Sequence, residues 1–355
     1  MRYDSLWPNA LALSAFLLAA CGDNTTTEPT QTPQPGPSVP ELALTSNSWI
    51  TRADLWSSQQ TDFTTATVQN ASGKSVVYAI GGRSATGSRL SKVMAYDVAT
   101  NTWSVKAPLP VPLYGMNQAA VLGGKIYVSG GCSFARCLRD APSSALYVYT
   151  PATNTWSRKA EMPSIRDTFG MDLFSGMNGS TGVIGGQLYT LSSCYYGDAP
   201  YFENCWRPLF YRYNPATDRW TTLPRPPATA TERYGGVIAG KFYAMGDYVH
   251  VYDPATNRWT RKARPQSSLP FSAAATVMLS RIYIVGGALR LNGTVLEAPL
   301  RTTVSYDPAT DTWTRRADLP SARYGMAASK IFVNGLPRLE VVGGPRPGNN
   351  LQYIP

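Results

Sequence analysis

The sequence predicts an all-β fold in which six small sheets close into a ring. Three observations predict it. The phrase Tyr-(Asp/Asn/Thr)-(Pro/Val)-Ala-Thr-(Asn/Asp)-(Thr/Arg)-Trp occurs five times, at Tyr96–Trp103, Tyr149–Trp156, Tyr213–Trp220, Tyr252–Trp259 and Tyr306–Trp313. A short apolar run ending in a glycine pair recurs out of phase with it, at Gly81-Gly82, Gly130-Gly131, Gly286-Gly287 and Gly343-Gly344, with worn copies ending at Ser192-Ser193 and Gly246-Asp247. A sixth copy of the first phrase is split, its front half at Tyr353-Ile354-Pro355 and its back half at Thr45-Ser46-Asn47-Ser48-Trp49. A repeat cut in this way implies that the ends meet to finish one unit, so the array is a closed β-propeller rather than an open solenoid.

Each unit reads as four strands, a to d. Strand a is innermost. Strand b carries an aromatic and ends in the glycine pair, strand c ends at the repeat Tyr, and strand d carries the Trp. The strands are apolar runs because each sheet buries both faces against its neighbours. Glycine pairs allow positive φ and close backbone approach. Pro-Ala-Thr-Asn is turn chemistry between c and d, and the Gly124-Lys125, Gly240-Lys241 and Ser280-Arg281 steps read as hairpin turns. Each Trp is expected between blades, its indole N–H donating to a backbone carbonyl. The last blade takes strands a to c from about residues 324–354, with a at Gly325 to Ser329, and strand d from about 48–52. This removes free edges. Strand a of the third blade falls somewhere in Phe169 to Ile184.

The glycine doublets, the Tyr ahead of each Trp and a spacing of roughly 50 residues resemble the kelch-repeat family over about residues 48–355. The resemblance implies a six-bladed kelch β-propeller. His250 is the single histidine. The resemblance therefore does not extend to the copper oxidases on kelch scaffolds, which need two histidines, and a Ser-His-Asp triad is available only by using His250. The Asp-box of six-bladed sialidases is absent, as is a glycine-rich phosphate loop leading into a helix. Some exported bacterial six-bladed kelch proteins are sialic-acid mutarotases working with an acidic residue and arginines at the pore mouth. That similarity would give the acid/base role to Glu232 beside Arg233, or to Asp167 beside Arg166.

The N-terminus reads as an address. Arg2 precedes an apolar stretch, Ala10 to Ala20, too short to span a bilayer and fitting a signal peptide over residues 1–20. Leu18-Ala19-Ala20-Cys21 resembles a bacterial lipobox, which implies lipidation at Cys21 and an extracytoplasmic, lipid-anchored chain, on the outer membrane if the host is Gram-negative. Residues 21–44, rich in Thr and Pro, read as a tether of about 25 Å root-mean-square span, and 45–355 as the propeller. Cys132, Cys137, Cys194 and Cys205 fit the same compartment as disulfides. Four cysteines allow three pairings. The local ones, 132 with 137 and 194 with 205, are favoured, each stapling one b–c loop. Zinc would need thiolates from both loops to converge, and no close CxxC spacing occurs.

The net charge is +10, mostly arginine, which favours acidic partners, but no Lys/Arg run is dense enough for a nucleic-acid footprint. The d–a links and b–c loops leave a propeller on one face, where function usually sits. The b–c loops of blades 1, 2, 3 and 5 are long, and blade 4 has almost none. The links repeat an arginine and an aromatic. Arg83, Arg166, Arg233 and Arg323, with Tyr114, Tyr234 and Tyr324, are therefore the candidate ligand residues, since converging guanidinium forks suit carboxylate, sulfate or phosphate. The sequence reading is a binding module for a protein, a peptide or an acidic glycan, touching the membrane only through its lipid and using no cofactor or metal. A mutarotase or epimerase of an acidic sugar and a structural envelope protein are the alternatives.

Overall fold

The computed structural model describes residues 46–53, 55, 60–133, 143–163, 165–166, 172–195, 208–227, 234–265, 267–290, 296–344 and 350–355, the side chains of 165–166, 172–178, 193–195, 290 and 296–297 excepted. Leu44–Pro355 forms one compact unit. It is built from six antiparallel sheets in chain order. Blade 1 comprises Thr64–Gln69, Ser75–Ile80, Val93–Asp97 and Thr102–Lys106. Blade 2 comprises Ala120–Leu122, Lys125–Ser129, Leu146–Thr150 and Thr155–Lys159. Blade 3 comprises Asp172–Ile184, Gln187–Tyr195, Leu209–Asn214 and Arg219–Thr222, with the short Ile165–Arg166 on its inner edge. Blade 4 comprises Tyr234–Ile238, Lys241–Met245, Val249–Asp253 and Arg258–Arg261. Blade 5 comprises Ala274–Met278, Arg281–Val285, Thr303–Asp307 and Thr312–Arg316.

Blade 6 is the closing blade. Ala327–Val333, Leu336–Val342 and Leu351–Ile354 are joined by Ser48–Thr51 from the other end of the chain. Trp49 lies opposite Tyr353, in the register that Trp103 takes opposite Tyr96. The split repeat is thus completed as expected. Two details differ. Strand a of blade 6 begins at Ala327, because Gly325 sits at φ 66° and turns the chain before pairing begins. The inner strand of blade 3 pairs irregularly, with register shifts between Ser175 and Met177 and between Met177 and Ser180.

The Tyr and Trp of each repeat are opposed across strands c and d, with ring centroids 5.0–5.3 Å apart in all six copies. The residue two before each Trp (Asn47, Asn101, Asn154, Asp218, Asn257, Asp311) has φ between 52° and 57°. Asn and Asp tolerate this left-handed turn best among residues with a side chain. The turn aims the side-chain oxygen back at the sheet, where it accepts the Tyr hydroxyl at 2.5–2.8 Å in every copy.

The same oxygen also reaches the preceding blade. It accepts the N–H of Ala53, Ala107, Ala160, Ala263 or Ala317, each four residues after the previous Trp. The carbonyl of the same alanine then accepts the indole N–H of Trp103, Trp156, Trp220 or Trp49. One alanine is therefore clasped twice by the next blade. Blade 4 departs on both flanks. Its Trp259 donates to Pro224, which has no N–H to return. On the other side the Trp313 indole N–H is buried with no partner among the described residues, because the Ala263 carbonyl accepts the Val249 N–H instead.

The glycine pairs serve close approach. A Cβ on Gly81 would stand 2.6 Å from the Leu113 carbonyl oxygen, and one on Gly286 the same distance from that of Arg323. Gly82 and Gly287 donate to those carbonyls at 2.7 and 2.9 Å. Each pair thus holds the link that leads into the next blade.

The closing seam carries a buried charge cluster. Glu340 is fully buried and accepts a hydrogen bond from Gln352 at 3.0 Å, while Arg338 and Arg52 donate to the Gln352 oxygen at 2.8 and 3.1 Å. Burial pushes the Glu340 carboxyl up to about 8, against the opposing pull of Gln352, Arg52 and Arg338.

Two predictions follow from the seams. Asn154→Ala forces Ala into a left-handed turn and removes two hydrogen bonds, so it should cost about 2–4 kcal/mol. Asn257→Ala carries the same left-handed cost but loses only the Tyr252 bond, so it should cost about 1 kcal/mol less. Urea midpoints would measure both, and equal losses would refute the clasp. For Glu340, the folded state keeps a proton that the unfolded chain has released between about pH 4.5 and 8. Its contribution is therefore complete below about 4.5 and falls as pH rises through 8. Melting temperature should decline across that window, and Glu340→Gln should flatten the decline.

Candidate functional site

The links into strands a share one backbone device. Asp62, Gly115, Ser272 and Gly325 precede strands a of blades 1, 2, 5 and 6, with φ of 56°, 60°, 50° and 66°. They bond in adjacent pairs. Gly115 N–H donates to the Asp62 carbonyl at 2.8 Å, and Gly325 N–H to the Ser272 carbonyl at 2.7 Å. Two of these positions hold glycine, as the turn favours. Blade 1 instead places a carboxylate there.

That carboxylate stands at the loop-face mouth beside two predicted residues. Arg83 Nε lies 4.0 Å from the Asp62 carboxylate, too far for a hydrogen bond, and has no hydrogen-bond partner among the described residues. The Arg83 guanidinium lies over the Tyr114 ring, 3.5 Å from its centroid. Both groups of the ion pair are about one-third exposed. Burial raises the Asp62 carboxyl above its ordinary range, the nearby Arg83 charge and the Thr61 hydroxyl opposing. The result is a guanidinium with an unpaired Nε held on an aromatic ring, next to a carboxyl that burial shifts upward, a combination typical of ligand and proton-transfer sites.

The other predicted residues are placed differently. Arg323 is nearly buried, its guanidinium donating to the Ser321 hydroxyl at 2.7 Å. Its backbone is fixed to blade 5 at Leu300 and Gly287. Tyr234 is buried, its hydroxyl donating to the Pro270 carbonyl at 2.5 Å and accepting the Ala273 N–H at 3.0 Å. Tyr324 is half-buried in the link that meets blade 1, where a Cβ on Gly325 would stand 3.0 Å from Thr61. Asp167, Glu232 and Arg233 lie outside the described residues, as does the Arg166 side chain. Arg83 and Tyr114 are therefore the predicted pair that the structure brings together.

Cys132 is fully buried and disulfide-bonded. Cys137, Cys205 and the Cys194 side chain lie outside the described residues, and both pairings with them. Cys21 and the rest of the N-terminal segment, residues 1–45, also lie outside. His250 falls in strand c of blade 4, as expected, and is fully buried. Among the described residues, no helix is long and apolar enough to cross a membrane, and no group of three His, Cys, Asp or Glu side chains could hold a metal ion.

Two features escaped the sequence reading. Asp62 would have been found by aligning Thr61-Asp62-Phe63 with Tyr114-Gly115-Met116 and Tyr324-Gly325-Met326, since the mismatch falls on a turn glycine. Gln118 had no such signal. Its amide donates to the Ala275 carbonyl at 3.2 Å, from the start of the inner strand of blade 2 to the inner strand of blade 5 on the opposite side of the ring. The axis is bridged there, so the exposed chemistry belongs to the mouth and rim. The long b–c segment of blade 5 forms a hairpin, Ala288–Arg290 with Leu296–Pro299, whose Leu289 is 42% exposed.

These features define a six-bladed β-propeller in which Arg83, Tyr114 and Asp62 meet where the links and b–c loops emerge. Residues 40–241 match the attractin/LZTR1 β-propeller family model, and residues 271–320 match the kelch motif. The chain belongs to the kelch-repeat β-propeller family. It is 27% identical to Kelch-like protein terF of Aspergillus terreus over 66% of this chain and 51% of that protein. It is 30% identical to Kelch-like protein 15 of Danio rerio over 51% of this chain and 29% of that protein. The matches thus span about half or less of these relatives' lengths. In fold it is similar to the structure of YjhT, with a TM-score of 0.61 and 17% identity, over 83% of this chain and 93% of that one.

The site carries its own test. Arg83→Ala removes the positive charge that opposes the upward shift of Asp62, so the Asp62 carboxyl should titrate higher still. Carbon-detected NMR of the Asp side chains would follow it, and an unchanged or lower midpoint would refute the pairing.

Proposed function

We propose that this chain is an extracytoplasmic, lipid-anchored binding module that holds a protein or peptide partner on its loop face. The observation that carries this reading is the Arg83–Tyr114–Asp62 group. A guanidinium whose Nε has no hydrogen-bond partner among the described residues is held on an aromatic ring at the mouth, an arrangement that suits an acidic side chain of a partner. The bridged axis and the blade 5 hairpin support recognition across the face. Kelch propellers are general protein-interaction modules, which supports this reading. An acidic glycan is the second partner class that the same chemistry suits. Disulfides at the b–c loops, in the local pairings, would suit an exported chain.

Capture from the cell envelope tests the reading. The full chain, cross-linked in place and purified, should retain a partner that Arg83→Glu loses by about tenfold or more, with melting unchanged. Equal capture by the variant would remove the mouth from the interface. The anchor is tested separately. Cys21→Ser should release the chain from the membrane fraction, and retention there would overturn lipidation at that residue.

A second reading rests on one observation, the raised Asp62 carboxyl beside Arg83. In a mutarotase or epimerase of an acidic sugar such as sialic acid, that carboxyl is the acid/base and the guanidinium holds the substrate carboxylate. Accelerated anomer exchange of sialic acid, seen by NMR and abolished in Asp62→Asn, would establish it. Exchange at the uncatalysed rate would leave the binding module alone.

A further inference from the structure

Blades 2, 4 and 5 share an arginine two residues after the Trp of the outer strand. In blades 2 and 5 a carboxylate stands three residues later. Arg158 pairs with Glu161 in blade 2, and Arg315 pairs with Asp318 at 2.9 Å in blade 5. In blade 4 the same spacing reads Arg261 and Arg264. The carboxylate is replaced by a second guanidinium, and neither arginine has an ion-pair partner among the described residues. Both instead approach Tyr248, at 4.7 and 5.8 Å from its ring centroid.

Tyr248 lies in the shortest b–c turn of the ring, between Met245 and Val249, closed by a hydrogen bond from Gly246 N–H to the Tyr248 carbonyl at 3.0 Å. No long loop rises from this blade. Beside the turn is a cavity of about 210 Å³, lined by Gly246, Asp247, Arg264, Pro265, Ser267 and Ser268. It lies between the b–c turn of blade 4 and the link to blade 5, on the face where loops emerge, and away from the Arg83 mouth.

The lining makes two demands on a ligand. Arg264 matches an anionic group, and its guanidinium fork favours a carboxylate, sulfate or phosphate. Asp247 only accepts hydrogen bonds when ionised, so it requires hydroxyl or ammonium donors. The serine hydroxyls serve either side. A bare inorganic anion satisfies Arg264 and is repelled by Asp247. A neutral sugar satisfies Asp247 and leaves the guanidiniums unused. A hydroxylated carboxylate of monosaccharide size meets both demands.

We propose that this cavity is a sugar-acid site. Arg264 holds the carboxylate, Asp247, Ser267 and Ser268 hold hydroxyls, and Arg261 with Tyr248 positions Arg264. The proposal rests on the reading of the loop face as the binding face, but not on a protein being the partner, and it shares no residue with the mouth.

The test is titration of the full chain with glucuronate, followed by calorimetry and by amide shifts. Glucuronate should bind once, shifting residues 246–248 and 264–268. Glucose lacks the carboxylate for Arg264, acetate lacks the hydroxyls for Asp247, and alanine lacks the hydroxyls for Ser267 and Ser268, so each should bind at least about tenfold more weakly. Arg264→Glu restores the acidic residue of blades 2 and 5, should pair with Arg261 and keep the fold, and should weaken glucuronate about tenfold or more. Ser267→Ala with Ser268→Ala gives a second variant with the charges intact and should weaken it less. Tighter binding of a uronic-acid oligomer than of the monomer would identify a glycan as the source. Equal binding would identify the free acid, and either result sustains the site. Failure to bind glucuronate, equal binding of glucose or alanine, or unaltered binding by Arg264→Glu would overturn it. Shifts confined to residues 60–62, 83 and 114 would overturn it too, while leaving the mouth as a binding site.

Discussion

The ring depends on a left-handed Asn or Asp two residues before each Trp. That one conformation places a side-chain oxygen where the Tyr hydroxyl of its own blade and an alanine N–H of the preceding blade both reach it. A right-handed residue would turn the oxygen away, and a residue without an oxygen would leave the hydroxyl and the amide unpaired. The tyrosines bear the mark of this. Burial, with the Asp218 and Asp311 bonds added, raises Tyr213 and Tyr306 above the ordinary phenol range, while the Tyr213 and Ala160 bonds hold the Asp218 carboxyl below its own. Because the clasp joins blade to blade, the same motif that folds a sheet also closes the circle, through Asn47, Trp49 and Ala317 at the seam.

The second constraint separates scaffold from surface. The glycine pairs seize backbone carbonyls of the links, at Leu113 and Arg323, rather than side chains. Any residue can supply a carbonyl, so the side chains around it are released to vary. This is why blade 2 can carry Leu113 where blade 6 carries Arg323, with the same backbone contact made by both. It also explains how Asp62 can occupy a position that is glycine in two other blades: the turn needs positive φ, which Asp can adopt, and nothing more. Function on this fold therefore has room at the links without cost to the ring.

The legibility of the sequence follows from the same division. What repeats was readable: the blade number, the strand d borrowed from the N-terminal end, the Trp-to-carbonyl bonds in five copies and the low blade 4 turn. What occurs once was not. Gln118 crosses the ring to Ala275 through a contact with no periodic trace. Arg323 and Tyr234 matched the recurrent link pattern, yet their side chains bond Ser321 and Pro270, contacts that only the three-dimensional packing reveals. Arg83 and Tyr114 were readable as site candidates because each follows a repeat landmark. Their partner Asp62 was hidden because the sequence reading treated the links of blades 2 to 6 as the pattern and never laid the blade 1 link against them.

Blade 4 shows how the departures are coupled. Its b–c turn is so short that strand c begins at Val249, and the Val249 N–H takes the Ala263 carbonyl that would otherwise receive the Trp313 indole. Its other flank meets Pro224, which cannot donate to Asn257. Both seams of this blade are thus held by fewer hydrogen bonds than those of its neighbours, and local opening concentrates where such bonds are few. The same short turn carries Tyr248, and the same outer strand sets Arg264 beside its ring where blades 2 and 5 have a carboxylate. A ring of near-identical units gains individuality where one unit gives up repeat interactions, and here the lost clasp bonds, the missing loop and two arginines with no ion-pair partner among the described residues fall on one blade. Departures from a consistent repeat are expected at functional sites, which makes blade 4 as strong a candidate for function as the mouth.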